Sequence, residues 1–386
     1  MNKKFLSAFI FSILLCFPRR VFAMILSDPV LNYSLDVPEA YELAAADDNG
    51  NSLLFTHPNM NVQIVTKVFT VADTSSKEIL EISMNKLNAD ASYDGVTWCG
   101  SDCTISFYEM TLDKKNKGRG VCAPLSKKDS YLVVLAFVPE DEFDLYQSFI
   151  ISILNSLSVD DVTLQNPGVF VTYAFPKSGD KKINLEIGGQ KINSVIDKND
   201  EEANQYIVEL EYGVLLAYAN HPLWKEAWQR YYRLIFRDSY GRLSRVADDV
   251  YASLYPISKK ENPASPRTAL LTTLLSWTQG FEYKRAEEKT DTDFTPPVSA
   301  ILGVGNDCDS RSMLLCCLMQ HYGVDSIMLI SREYSHAMCA FDIPEALGQK
   351  FDTEYGSYIM CETTANVTPG IIAQDHADRS KWIIVD

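Results

Sequence analysis

The chain has 386 residues, of which 46% are hydrophobic and 22% charged. That composition excludes a disordered or fibrous protein, and the length allows two domains with full cores. The formal net charge is −16, and removing residues 1–23, which carry four positive charges and no negative one, takes it to −20; so acidic a surface repels phosphate and excludes nucleic acid and anionic membranes as partners.

Residues 1–23 read as an export signal. Lys3 and Lys4 precede an apolar run from Phe5 to Phe17, and Val21-Phe22-Ala23 forms a small-residue cleavage site. The run is too short to span a bilayer comfortably. Arg19 and Arg20, between the run and the cleavage site, leave an uncleaved N-terminal anchor as the alternative. No later stretch is apolar for eighteen residues, so the mature chain is expected to lack a membrane span and to be periplasmic or extracellular. Export permits disulfides. Of nine cysteines, Cys99, Cys103 and Cys122 lie in the first half, and Cys308, Cys316, Cys317, Cys339 and Cys361 in the second. Cys99 and Cys103 are spaced to close a small loop. No C-x-x-C pair occurs, and Cys317 with His321 lacks a second ligand pair, so no metal is expected.

Residues 24–160 read as one domain. Alternation predicts a strand at 32–38, and β-branched residues predict two more at 51–56 and 61–68. Helical spacing of Ile79, Leu80, Ile82 and Leu87 marks a helix over 75–87. A buried strand at 131–138 and an amphipathic helix at 141–157 follow. With Tyr33-x-x-Asp36-Val37-Pro38 near its start and Phe149-x(5)-Asn155-Ser156-Leu157 at its end, this half resembles the PsbP-like αβα sandwich family. Its single histidine, His57, reads as a surface residue. Nothing here assembles a catalytic set, so a binding or positioning module is expected.

Residues 161–168, with Asn166-Pro167-Gly168, read as a linker. From 169 to 386 a second domain is expected, beginning with strands at 169–175 and 182–187 and a hairpin signal at Gly188-Gly189. Helices are predicted at 203–218, 222–237 and 243–255. The aromatic stripe Trp224, Trp228, Tyr231, Tyr232 and Phe236 reads as core. Ser265-Pro266 then opens a helix running to Gln279. A polar loop over 284–295 and a glycine-broken segment, Gly303-Val304-Gly305, lead to a helix that starts at Cys308. Strands are predicted at 326–331, 336–341, 356–361 and 382–385.

A cysteine at a helix start meets unpaired backbone N–H groups, which favour the thiolate and hence a nucleophile. Such a nucleophile needs an imidazole and a third group to orient it. His336 opens a strand after the polar turn 332–335 and is the base best placed by sequence. His376, in a polar loop, is the reserve, and His321 stands about 20 Å along the Cys308 helix. Glu362 follows a strand and precedes two threonines, a place from which it can accept from His336.

Together, Ser276-Trp277-Thr278-Gln279, Phe281-Glu282-Tyr283, Gly305-Asn306-Asp307-Cys308-Asp309-Ser310, Ser335-His336-Ala337 and the stretch from Tyr358 to Thr364 resemble the transglutaminase-like superfamily of papain-fold cysteine enzymes. Asn306 stands where that family commonly has glycine, and Glu362 where it commonly has aspartate. The two resemblances together imply an α+β protein: a sandwich-like first domain, then a papain-like domain with an antiparallel sheet, a helical lead-in and a catalytic core at 265–386. The second implies Cys308 as nucleophile, His336 as base and Glu362 as acid, with Asp307 and Asp309 flanking the thiol and Gln279 placed to donate to an oxyanion. The implied reaction is acyl transfer on protein or peptide amide bonds through a thioester, hydrolysis slightly favoured over crosslinking, without metal or organic cofactor. The rival expectation is an inactive binding or scaffold protein that retains the fold.

Overall fold

The computed structural model describes residues 24–284 and 292–385; the expected export signal and part of the polar loop at 284–295 lie outside them. The chain divides into two compact units. The first holds residues up to Ala174 together with Gly213–Arg230; the second holds Phe175–Tyr212 and the residues from Tyr231 onward.

In the first unit, β1 (Met24–Asp28) and β2 (Tyr33–Val37) pair antiparallel. Seven further strands follow: β3 (Glu42–Ala46), β4 (Ser52–Thr56), β5 (Gln63–Thr70), β6 (Asp90–Trp98), β7 (Ser101–Thr111), β8 (Lys115–Pro124) and β9 (Ser130–Pro139). They form one antiparallel sheet in the order β3-β4-β5-β9-β8-β7-β6. Helices on both faces explain why β9 is a continuous apolar run rather than an alternating one. Its Leu132, Val134, Ala136 and Val138 pack with Ile150, Ile153 and Leu154 of α2 (Phe143–Asn155). Its Val133, Leu135 and Phe137 pack with Ile79, Leu80 and Met84 of α1 (Ser76–Lys86). Each of the valines, leucines, isoleucines, Phe137 and Met84 among them contributes roughly 1.5–3 kcal/mol by leaving water. A capping box between Ser75 and Glu78 fixes the start of α1.

Two expectations for this unit are corrected. The expected strand at 169–175 is a helix, α4 (Val169–Ala174), preceded by the short α3 (Asp161–Leu164). The Asn155 Oδ1 accepts from the N–H groups of Phe170 (2.9 Å) and Val171 (3.0 Å). Satisfying these helix-start donors overrides the β preference of Val169-Phe170-Val171. His57 is buried rather than on the surface: its ring meets Tyr41 edge-on at 5.3 Å, and its Nδ1 accepts from the Asn59 N–H at 3.1 Å.

In the second unit, β10 (Asp180–Ile187) and β11 (Gln190–Asp197) form a hairpin. Gly188 (φ 56°) and Gly189 (φ 74°) supply the two left-handed residues of its turn. The helices are α5 (Asp200–Leu216), α6 (Trp224–Glu261), α7 (Pro266–Gln279), α8 (Pro297–Ile301) and α9 (Cys308–His321), of which α5 and α6 carry the chain between the units. The two helices expected at 222–237 and 243–255 are thus one. The polar residues at the join are satisfied within the second unit. Arg242 bonds Asp238 at 2.7 Å and Asp200 at 2.9 Å, and Asn204 donates to Asp238 at 2.9 Å.

The second unit's sheet contains β12 (Ser326–Ser331), β13 (His336–Phe341), β14 (Lys350–Asp352), β15 (Ser357–Cys361) and β16 (Ile383–Val385), all antiparallel in the order β14-β15-β13-β12-β16. One face carries the core of Leu329, Met338, Ala340, Met360 and Trp382. Because side chains alternate along a strand, Cys339 and Cys361 point the other way, toward Cys316 of α9. The whole is an α+β protein with several antiparallel sheets. Among the described residues no helix is long and apolar enough to cross a membrane.

Candidate active site

The start of α9 is tied down on several sides. Asn306 bridges to Tyr283, donating to the Glu282 carbonyl at 3.1 Å and accepting from the Lys284 N–H at 3.0 Å. Asp307 is the N-cap residue, and the Ser310 hydroxyl bonds its Oδ1 at 3.2 Å. Cys308 follows as the first helical residue and is 3% exposed. Asp309 accepts from the Tyr232 hydroxyl at 2.8 Å through Oδ2, while its Oδ1 is buried with no hydrogen-bond partner in the described structure.

His336 opens β13 after the reversal at 332–335, where Ser335 takes a left-handed φ of 48°, a strained backbone of the kind found at functional sites. Its Nε2 lies 2.8 Å from Glu362 Oε2, just past the end of β15. Glu362 Oε1 accepts from the Thr364 N–H (2.8 Å) and hydroxyl (2.6 Å). Burial pushes the Glu362 pKa up, but the bond and charge of His336 and the two Thr364 donors outweigh it and bring the carboxyl down to about 2. Because the carboxylate is ionised and can only accept, the Nε2 must carry the proton.

The helix start and the strand end meet through Thr363, whose hydroxyl donates to the Cys308 carbonyl at 3.4 Å. Arg311, one turn into α9 and 2% exposed, completes the junction. Its Nε donates to Asn306 Oδ1 (2.9 Å), its Nη1 to the Thr363 carbonyl (3.2 Å) and its Nη2 to the Phe281 carbonyl (2.8 Å). Its charge also faces Asp307, Cys308 and Glu362. The sequence gives Arg311 no role beyond its place beside the cysteine, since its three partners are 5, 30 and 52 positions away. Gln279, expected as an oxyanion donor, uses its Nε2 on the carbonyls of Glu362 and Val367, both at 2.9 Å. That spends both amide hydrogens, so Gln279 clamps the segment carrying Glu362 instead of offering a donor.

The remaining histidines separate. His321 stacks on Tyr240 with ring centroids 3.7 Å apart and bonds its carbonyl at 2.9 Å. His376 lies beside His336, with ring centroids 5.1 Å apart. Burial lowers its pKa, and the neighbouring His336 lowers it further. Among the described residues, two groups of side chains are close enough to hold a metal ion, Asp307–Cys308–Asp309 and His336–Glu362–His376. Burial pushes the thiols of Cys317, Cys339 and Cys361 well up, as befits inert core residues. Cys103 is a free thiol pushed up to about 12, so no disulfide closes the loop expected at Cys99.

No family model matches the chain, and no curated protein matches it. Among solved structures it is similar to the cyanobacterial PsbP of Synechocystis, at a TM-score of 0.31 and 11% identity over 35% of this chain and 91% of that one. It is also similar to the Ran-binding protein Mog1p of Saccharomyces cerevisiae, with a TM-score of 0.28 and 13% identity over 37% and 99% of the two chains. A third similar structure is LpqN, involved in cell envelope biogenesis of Mycobacterium tuberculosis, with a TM-score of 0.26 and 15% identity over 33% and 83%.

Proposed function

We propose that this chain is an exported cysteine enzyme of the transglutaminase-like kind, acting on protein or peptide amides, with a PsbP-like module preceding a papain-like catalytic domain. The reading is carried by the 2.8 Å bond between His336 and Glu362 at the strand end that Thr363 joins to the start of the Cys308 helix. With Nε2 committed to Glu362, Nδ1 is the nitrogen left to take the thiol proton. The Cys308 sulfur attacks the amide carbonyl, the oxyanion meets backbone N–H groups at the helix start, and the C–N bond breaks as His336 returns the proton to the amine. Water then cleaves the thioester. The buried Arg311 charge and the helix start both favour the thiolate this requires.

The 3% exposure of Cys308 and its two flanking carboxylates favour the rival reading, a silent scaffold that kept the site's frame. Alkylation separates the two. In the native protein, iodoacetamide at about pH 6 should label a single cysteine, absent from Cys308→Ala and slowed at least about tenfold in His336→Ala. Uniformly slow labelling of all thiols would sink the enzymatic reading.

A further inference from the structure

We propose that His336, Glu362 and His376 form a binding site for a divalent transition-metal cation of the Zn2+ class, and that its occupation withdraws His336 from Cys308. The first half stands on the cluster alone; only the second rests on the acyl-transfer reading.

One ligand atom from each of the three side chains lies within 4.8 Å of the other two. Two imidazoles and a carboxylate suit borderline divalent metals and leave a coordination position open for water. To admit an ion at tetrahedral angles with bonds of about 2.0–2.1 Å, the 2.8 Å between His336 Nε2 and Glu362 Oε2 must widen by about 0.5 Å, and any separation in the cluster beyond about 3.3 Å must close to that. The third side chain shows a need for a ligand. His376 Nδ1 is buried with no hydrogen-bond partner in the described structure, a costly state for a polar atom. Its ring is held against Tyr334, with centroids 4.9 Å apart, and its carbonyl accepts from the Trp382 indole at 2.9 Å. Glu362 also has the outer support common to metal-binding carboxylates, since Thr364 fixes its other oxygen. The second cluster, Asp307–Cys308–Asp309, lies at the positive end of the α9 dipole, which disfavours a cation.

The proton balance explains the inhibition. His336 Nε2–H now donates to Glu362. An ion bound at Nε2 displaces that hydrogen to Nδ1 as the imidazole changes tautomer, with no net proton released. Nδ1 then carries a hydrogen and cannot accept the thiol's.

The test uses the full chain carrying Cys308→Ala, stripped with a chelator and titrated with Co2+ by visible absorption and with Zn2+ by calorimetry. One ion per chain is expected. His376→Phe, which keeps a ring in the same packing, should weaken binding at least about tenfold, with thermal melting confirming that it is folded. In protein that retains Cys308, Zn2+ should slow alkylation of that thiol, and His376→Phe should relieve the effect. Absence of a Co2+ spectrum, equal affinity in His376→Phe, or loss of binding in Asp309→Asn alone would overturn the site. Undiminished Zn2+ inhibition in His376→Phe would place the ion on the sulfur and overturn it too. If Co2+ binds as expected but Cys308 is unreactive without metal, the acyl-transfer reading and the withdrawal of His336 fail and the metal site stands.

Discussion

Glu362 stays ionised down to about pH 2 because His336 and Thr364 outweigh the cost of burying its carboxylate, and that ties the junction's stability to pH. The folded pKa lies below the ordinary 4.5, so the contribution is complete above about pH 4.5 and lost as pH falls through 2. Relative to Glu362→Gln, the wild type should lose on the order of 2–3 kcal/mol across that window. Parallel urea-unfolding curves for the two proteins between pH 5 and about 2 would refute the assignment. Arg311 makes a different prediction, because its role is geometric as well as electrostatic. Lys keeps the charge but cannot reach Asn306, Phe281 and Thr363 in one plane. Arg311→Lys should therefore cost about 3 kcal/mol in urea unfolding, by leaving buried acceptors short of donors. Alkylation of Cys308 should slow with it. An unchanged urea midpoint would show that the three bonds contribute nothing.

Elements were legible in the sequence where one physical signal dominated. The strand β9, the helix α1 and the helix beginning at Cys308 announce themselves by a hydrophobic run, by the helical spacing of Ile79, Leu80, Ile82 and Leu87, and by the preceding glycine loop. Strands β6 to β8 did not, because their edge residues are polar and Cys99-Gly100 stands where Asn-Gly would mark a hairpin. Cys99 nevertheless takes the left-handed φ of 50° that such a turn demands. Helix α4 is not legible in its own residues because its determinant lies outside it, in the side chain of Asn155. Asn155→Ala removes the acceptor for the Phe170 and Val171 N–H groups. It should cost about 1–2 kcal/mol, the range of a lost helix cap, and speed amide exchange at those two positions. Exchange unchanged there would mean the helix holds without its cap. At the candidate site, sequence order was enough to pick His336 and Glu362, which the fold pairs. The spending of Gln279 on two carbonyls and the reach of Arg311 depend on chain segments brought together only by folding.

At the scale of the molecule, the first unit is sensitive to acid through a residue that takes no part in the candidate site. Burial and the neighbouring His221 push His57 down to about 4, though a bond to the Glu39 backbone works the other way. A neutral buried histidine stabilises fully above its unfolded pKa of 6.5, and the contribution fades as pH falls toward 4. The first unit should lose on the order of 2–3 kcal/mol over that interval, and the His57 ring protons should titrate near 4 by NMR. A midpoint near 6.5 would contradict its burial. The same unit also depends on chain that leaves and returns. Tyr218 donates its hydroxyl to the Glu39 carbonyl at 2.9 Å, and Arg230, 1% exposed, donates to the Asp36 carbonyl at 3.1 and 2.9 Å. Val214, Tyr218 and Ala227 pack with Phe149. A fragment ending at residue 174 strips Phe149 of that cover and removes three donors from the carbonyls of Asp36 and Glu39. Nor does the chain offer a cut near Pro167, whose carbonyl accepts the Trp98 indole N–H at 2.8 Å, while a Cβ at Gly168 would sit 2.4 Å from the Asn155 carbonyl. Mild proteolysis of the whole protein should therefore spare Asn166–Gly168, and the isolated 24–174 fragment should unfold at lower urea with a broader transition. An early nick at Pro167, followed by a fragment as stable as the parent, would show that residues 213–230 are dispensable to the first unit.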